Sequence, residues 1–419
     1  MTVHRNRSGS FPRCLRDWLF GAFMFFCSGL SSQVVQTDHQ LLWEISGNGL
    51  KSKSYLFGSL HSNDRRVFNF SDSTYVVLQN AQGIVLETDL FSLFGDWDTR
   101  QEEVRLLFDN KGKPYTGSDE PTRTIYGDEN GMPQFMDAFF QEYCYNSKKT
   151  FYALEKVTDQ LNMLADWGQN DIDGLRLDPM AMSQEKLIEF YQKGDIFSLD
   201  RMMKANLSLN PGMYEEIIIS RNQTMMNGLD SLIRSQSIFC AVGAGHLAGE
   251  LGLINLLRSK GYKLRPVMAA FSEKPVPAKA AIKASRTYTY YHEPSGLAAV
   301  FPGKPLETRI WDNHPFLVYR EMGQGNTYSV EILPADSSLS LSDQAAIYIA
   351  SPDGTFFEQR TLDDGTEICE GIGDTYPEGP HWIRLIQSDR YLVILKAYGG
   401  NKFMNSNRPF SFFGRIGFE

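Results

Sequence analysis

The sequence predicts an α/β (α+β) domain with a central sheet and a helical insertion, followed by a smaller strand-rich α+β domain. Two observations predict it. Up to about residue 270, strand-like apolar runs lie at both ends of a stretch dominated by helical periodicity. Beyond it, short β-type runs alternate with turn dipeptides such as Pro302-Gly303, Asp353-Gly354 and Asp364-Gly365.

The chain opens on a basic leader, Arg5, Arg7, Arg13 and Arg16, followed by a thirteen-residue apolar run, Trp18–Leu30, and then Ser31. This reads as a signal peptide over residues 1–32, with an uncleaved anchor as the alternative. The run is short for a membrane span. No second long apolar run follows, so the expected mature protein is exported (periplasmic, cell-envelope or secreted) without a stable transmembrane segment. The net charge of −9 falls to about −12 once the leader is removed. That balance argues against nucleic acid or an anionic membrane as the main partner. Cys144, Cys240 and Cys369 remain, an odd number at wide spacing, which is neither a disulfide framework nor a structural zinc site.

Residues 33–272 make the first predicted domain. Its strands are Leu41–Ile45, Ser54–Phe57, Gly83–Glu87, Ile238–Val242 and Tyr262–Val267. Its helices are Gln134–Tyr145, Phe151–Trp167, Gln184–Lys193 and Met213–Arg234, with a further one from Leu247 to Lys260.

Two patterns of one layout stand near opposite ends of this domain, Gly58-Ser-Leu-His61 and Gly243-Ala-Gly-His246. Each follows an apolar strand. The chain has seven histidines, and only these two fall between residues 40 and 290. A shared role is one reading; two unrelated loop histidines are the other. His246 is expected just beyond the carboxyl end of a strand, where open α/β sheets bind ligands. Gly243 and Gly245 would let backbone approach a ligand, or simply pack a helix. A neighbouring helix N-terminus disfavours the imidazolium, and metal ligation or general-base work needs the neutral ring.

Glu87 ends the strand Gly83–Glu87, so its carboxylate is expected in a partly dry site, where it needs a metal, an arginine or a raised pKa. A helix cap or surface ion pair is the alternative. Two neutral histidines and one carboxylate form a common hydrolytic metal set.

Several pieces in order resemble the TraB/GumN family, which includes the TIKI proteases and the pheromone-shutdown protein PrgY. Leu41-Leu-Trp-Glu-Ile45 and Tyr55-Leu-Phe-Gly-Ser-Leu-His61 match its opening, and Val85-Leu-Glu87 its strand-ending glutamate. Leu154-Glu155 with Gln160 matches a mid-domain signature, with one extra residue before the glutamine. Tyr191 with Gly194-Asp195, and Arg221-Asn222, match two more. Val242–Leu247, Gly249, Gly252-Leu253 and Gly261-Tyr262 match the close. The resemblance covers about residues 40–270.

It implies a hydrolase-like fold, and in the TIKI branch a metal-dependent peptidase using manganese- or cobalt-type ions. Carried over, His61, Glu87 and His246 are metal or catalytic residues, and Glu155 and Arg221 orient substrate or ligands. Glu155 and Arg221 could instead pair only with each other. Gly58, Gly243, Gly245, Asn222 and Asp195 are supporting positions.

Residues 273–284 read as a linker, and 285–419 as the strand-rich domain. Its runs are Thr287–Tyr291, Leu297–Phe301, Tyr328–Leu333, Ala345–Ala350, Trp382–Ile386 and Tyr391–Ala397. Phe301-Pro-Gly-Lys-Pro305 and Arg408–Arg415 resemble a small domain of bacterial secreted proteins. His292, His314 and His381 read as surface or packing residues.

Two functions remain open on the sequence. One is an exported metal-dependent peptidase holding a divalent ion, with a peptide or protein substrate. The other is a non-catalytic envelope protein of the same fold that sequesters a peptide or haem-like ligand.

Overall fold

The computed structural model describes residues 39–94, 131–160, 162–163, 183–274, 276–284, 287–310, 314–350, 356–375 and 379–418. The leader, and the end of the helix read over Phe151–Trp167, lie outside them.

The architecture is mixed α/β. Strands β1 (Leu42–Gly47), β2 (Ser54–Ser59), β3 (Gly83–Leu86), β4 (Thr150–Ala153), β5 (Ile238–Gly243) and β6 (Tyr262–Pro266) form one six-stranded sheet. Its order is β4-β3-β5-β2-β1-β6. β2, β3, β4 and β5 pair in parallel, and β1 runs antiparallel to both β2 and β6. The apolar runs are continuous because the sheet is covered on both faces. Phe57, Ile84, Leu86, Phe239 and Ala241 enter one core. Leu56, Val85, Cys240 and Val242 enter the other.

The first core is roofed by α1 (Asp72–Asn80), α2 (Met136–Asn146) and α3 (Gln184–Gln192). Phe140 of α2 makes edge contacts with Phe57 of β2 and Phe239 of β5, at centroid distances of 5.6 and 5.2 Å. Such pairs add about 0.5–1.5 kcal/mol each beyond area burial. They fix the rotation of α2, and with it the side chain of Asp137 three residues earlier.

Helix α4 (Ile196–Leu207) follows α3, and α5 (Arg221–Ser235) and α6 (Leu253–Ser259) cover the second core. A π-helical turn, Glu215–Ser220, leads directly into α5.

Four local expectations change. Residues 150–153 form β4 beside β3 instead of starting a helix. The periodicity of this segment is helical, but register with a buried parallel strand overrides it. The helix read from Leu247 starts only at Leu253. A 3-10 turn, Ala244–His246, and a glycine loop come first. A Cβ on Gly252 would lie 1.9 Å from the Ala248 carbonyl oxygen, so this loop closes only around glycine. The segment read as a linker contains α7 (Pro277–Ala284), whose Ala278 and Ile282 are buried in the first core. Ala345–Ala350, read as a strand, lies largely in α8 (Leu341–Tyr348), which begins on a Ser340/Asp343 capping box.

The strand-rich part carries a three-stranded sheet of β7 (Tyr288–His292), β8 (Leu297–Phe301) and the late strand β16 (Ile416–Phe418). A seven-stranded antiparallel sheet contains β9 (Leu306–Ile310), β10 (His314–Arg320), β11 (Thr327–Pro334), β12 (Phe357–Thr361), β13 (Glu367–Thr375), β14 (Gly379–Gln387) and β15 (Tyr391–Tyr398). β9, β10, β12 and β13 were not read from sequence. This part meets the first through a small cluster of Ala138 and Met322 with Leu90, Phe91, Phe135 and Leu306. Gln134 Nε2 also donates to the Tyr319 hydroxyl at 2.7 Å.

Cys144, Cys240 and Cys369 are buried and free. No helix among the described residues is long and apolar enough to cross a membrane.

Candidate functional site

Sheet order brings the candidate residues together. β4, β3, β5 and β2 are parallel neighbours, and each delivers one residue just past its carboxyl end: Glu155, Glu87, His246 and His61. The two Gly-x-x-His patterns therefore converge because β2 and β5 are adjacent.

His61 Nε2 and His246 Nε2 each lie 3.9 Å from the same atom, Glu87 Oε1. Gly243 leaves room for this. A Cβ there would sit 3.2 Å from Glu87 Oε1 and 3.5 Å from both His61 Nε2 and His246 Cδ2. The backbone N–H of Gly243 donates to Glu87 Oε1 at 2.6 Å.

Each ring is turned by a partner on its other nitrogen. His61 Nδ1 donates to Asp137 Oδ2 at 2.6 Å, and Ser59 Oγ donates to Asp137 Oδ1 at 2.8 Å. His246 Nδ1 meets Asn222 Oδ1 at 2.7 Å. Asn222 Nδ2 donates to the Leu251 carbonyl at 2.9 Å, so the amide presents its oxygen to the ring. An acceptor at Nδ1 demands the Nδ1–H tautomer, which leaves Nε2 as the lone-pair nitrogen in the neutral ring.

Electrostatics separates the two histidines. The Asp137 carboxylate pushes His61 up to about 9. Burial, against the pull of the Glu87 carboxylate and helped by Arg221 and His61, brings His246 down to about 4. The expected helix dipole is not the cause, because α6 begins seven residues later.

Glu87 is buried, which opposes ionisation. His61 and Arg221, the Gly243 N–H, and the His246 ring once acid protonates it outweigh that and hold the carboxyl well below the usual carboxylate range. Of the options open in the sequence, Glu87 takes the arginine: Arg221 Nη2 donates to Glu87 Oε2 at 2.5 Å. The same guanidinium donates to both Glu155 oxygens, at 3.2 Å from Nε to Oε1 and 2.8 Å from Nη2 to Oε2. Gln160 Nε2 reaches both carboxylates, at 3.3 and 3.1 Å.

The supporting positions divide. Asn222 belongs to the site through His246. Gly58 and Gly245 are packing glycines: added Cβ atoms would meet Ala244 Cβ at 3.0 Å and Met203 Cγ at 3.2 Å. Asp195 stands apart from the site as the N-cap of α4, accepting from the Ser198 N–H at 3.0 Å. Asp137 and Ser59 were not singled out in the sequence. A signal for Asp137 was an acid in the first turn of a helix, set between Met136 and the apolar run Ala138-Phe-Phe140.

Among the described residues, no three His, Cys, Asp or Glu side chains already stand within a single ion's coordination sphere. The donor chemistry fits an ion nonetheless. Two Nε2 atoms, that of His61 once its ring gives up a proton, face one carboxylate oxygen across a space that a methyl group would fill, and each ring is oriented by a hydrogen bond behind it.

The model of the TraB/PrgY/gumN family matches residues 41–118 and 122–266. The chain belongs to this family. The match spans the six-stranded sheet and every residue of the convergent cluster. Relatives are the metalloprotease TIKI homolog of Amphimedon queenslandica, 29% identical over 32% of this chain and 30% of that protein. The metalloproteases TIKI1 and TIKI2 of Danio rerio are 24% and 22% identical, over 44% and 47% of this chain. The chain spans less than half the length of these relatives, at 42% and 43% for the Danio rerio pair. A cyanobacterial PsbP from Synechocystis overlaps at a TM-score of 0.26 and 11% identity, covering 32% of this chain and 93% of its own, which carries no argument.

Proposed function

We propose that this family member is an exported metal-dependent hydrolase that cleaves a peptide bond. The observation that carries the reading is the convergence of two Nε2 atoms on Glu87 Oε1 around Gly243. His61, His246 and Glu87 would hold the ion. A divalent ion of the manganese or cobalt kind supplies Lewis acidity and an acidified water.

The chain's own residues set the rest. Asp137 and Asn222 fix the tautomers. Arg221 holds Glu87 ionised and in place. Glu87 is a poor general base, since its pKa lies well below the ordinary range. Glu155 is engaged at both oxygens by Arg221 and acts here as the other half of a clamp. The export reading rests on the basic leader and apolar run of residues 1–32.

Calorimetric titration of the full chain with Mn²⁺ or Co²⁺, followed by a peptide-library screen with the same ion, tests this. One ion per chain, lost in His61→Ala and in His246→Ala, with cleavage in the wild type, is expected. A folded wild type that binds no ion ends the hydrolase reading.

The commitment of both carboxylates to Arg221 favours a second reading, a sequestering module that binds a peptide or haem-like ligand without turnover. Glu87→Gln separates the two. A hydrolase loses its rate and keeps peptide affinity, whereas a binding module changes in affinity alone.

A further inference from the structure

The proposed centre leaves the FPGKP turn, Phe301–Pro305, unused. This turn carries Lys304 to the side of α2, with Nζ 4.6 Å from the centroid of the Tyr145 ring. Strand alternation puts Val318 and Arg320 on one face of β10. Leu306 of β9 pairs with Val318 in register. Leu306 packs with Leu90 and Phe91, just beyond Glu87 in sequence. Between these elements lies a cavity of about 230 Å³, lined among others by Asp89, Tyr145, Lys304 and Arg320.

The charges in this cavity do not balance internally. Lys304 and Arg320 stand against a single carboxylate, Asp89, whose Oδ1 accepts from the Gln141 amide and from the N–H groups of Phe91 and Ser92, at 3.1 and 3.2 Å. Among the described residues, neither Lys304 nor Arg320 has a carboxylate within ion-pair reach. The Nε of Arg320 is buried without a hydrogen-bond partner. Two cations held against Leu306, Val318 and Tyr145 form an incomplete site for an anion. An ammonium and a guanidinium together suit a carboxylate.

Helix α2 links this cavity to the centre. Asp137 holds His61, Gln141 holds Asp89, and Tyr145 lines the cavity. These three positions, four residues apart, share one face of the helix. At 1.5 Å per residue, Asp137 and Tyr145 are about 12 Å apart along the axis. About four residues of extended chain cover that distance.

We propose that Lys304 and Arg320 form a carboxylate-binding subsite that recognises an acidic group of the substrate, about four residues from the bond at the His61–His246 centre. The word substrate rests on the hydrolase reading; the carboxylate binding does not. The acid is either a chain-terminal carboxylate or an Asp or Glu side chain.

Fluorescence anisotropy on the full chain, with EDTA present to prevent cleavage, tests this. Three labelled octapeptides share one neutral sequence: one with a free terminal carboxylate, one amidated with a single Glu, and one amidated with Gln in its place. At least tenfold tighter binding of an acidic peptide over the Gln peptide is expected, and the tighter of the two acids identifies the source.

Lys304→Glu, on an exposed turn, should cut that preference at least tenfold, and the double variant with Arg320→Gln should abolish it. Mn²⁺ binding at His61 and His246 should stay unchanged in both, which controls for folding. His61→Ala should keep the preference. No acid preference in the wild type, or a preference that survives in the double variant, overturns the subsite. A lasting acid preference in a chain that binds no metal would end the hydrolase reading alone.

Discussion

The two Gly-x-x-His corners share a layout and differ in everything around it. The His61 side chain is 60% exposed and backed by a carboxylate, whereas that of His246 is 6% exposed and backed by an amide. The first ring is pushed up to about 9 and the second down to about 4. The motif therefore fixes where Nε2 points, while the charge differs by surroundings: Asp137 on α2 holds the first ring protonated, and burial keeps the second neutral. One corner is a cation waiting to lose a proton, and the other is a neutral donor already. Glu87 is common to both, and Arg221 holds Glu87.

Removing Arg221 would break both corners at once. In Arg221→Ala, Glu87 and Glu155 remain side by side, buried and without their cation. Losing one partner of a buried ion pair costs about 3–5 kcal/mol. Chemical denaturation should show a loss of that size, and a loss below about 1 kcal/mol would mean the clamp is not structural.

Exchanging the partners sharpens the comparison next. Asp137→Asn and Asn222→Asp each replace the group that orients a ring. Each should change divalent-ion affinity by about 10–100-fold, the usual effect of altering such a partner. Proton NMR of the metal-free protein should show His61 falling toward the ordinary range in Asp137→Asn. His246 should rise in Asn222→Asp. If neither ring responds, the partners do not set the charges.

The two leading glycines should also part company. A Cβ at Gly58 presses on the backbone and Cβ of Ala244, at 3.2 and 3.0 Å, so Gly58→Ala should cost about 1–3 kcal/mol of stability and leave ion affinity intact. Gly243 has an extended conformation, φ −50° and ψ 133°, that any residue adopts. A Cβ there meets Glu87 Oε1 and His61 Nε2 instead. Gly243→Ala should therefore lower ion affinity at least tenfold with little thermal cost. Paired melting and calorimetry separate the two outcomes.

The sequence made the strand ends legible, because the apolar runs Ser54–Phe57 and Ile238–Val242 each give way to Gly-x-x-His, and Gly83–Glu87 ends on its glutamate. It also made the Arg221–Glu155 pairing legible as one of two readings. It could not show that Arg221 bridges to Glu87, since that depends on how the π-helical turn Glu215–Ser220 aims α5. Asp137 was missed for a similar reason. Periodicity marks the buried face of α2 but does not separate a buried acid with a partner 76 residues away from a solvated one. Phe151–Ala153, the start of the helix expected over Phe151–Trp167, belongs to β4, and that was hidden because its sheet partner, β3, is distant in sequence. Asp195 looked like a site residue through Tyr191-x-x-Gly-Asp, yet that pattern serves a turn and a helix cap.

The last comparison is the pH dependence of the metal-free fold, where the two histidines act with opposite signs. His61 has a folded pKa of about 9, above the unfolded value near 6.5. Its contribution is complete below 6.5 and is lost as pH rises through 9. His246 has a folded pKa of about 4, below the unfolded value. Between 4 and 6.5 the unfolded chain binds the extra proton, so stability falls as pH drops through that window. The His61 pair is open to solvent, which weakens its share, so the acid limb should be the steeper. Melting temperatures from pH 4 to 9.5 should show both limbs in the wild type. His246→Gln should flatten the acid limb alone and Asp137→Asn the alkaline limb alone, because each histidine keeps its own partner. A single variant that flattened both limbs would mean that the rings titrate as one coupled unit, and the contrast between the two corners would then be wrong.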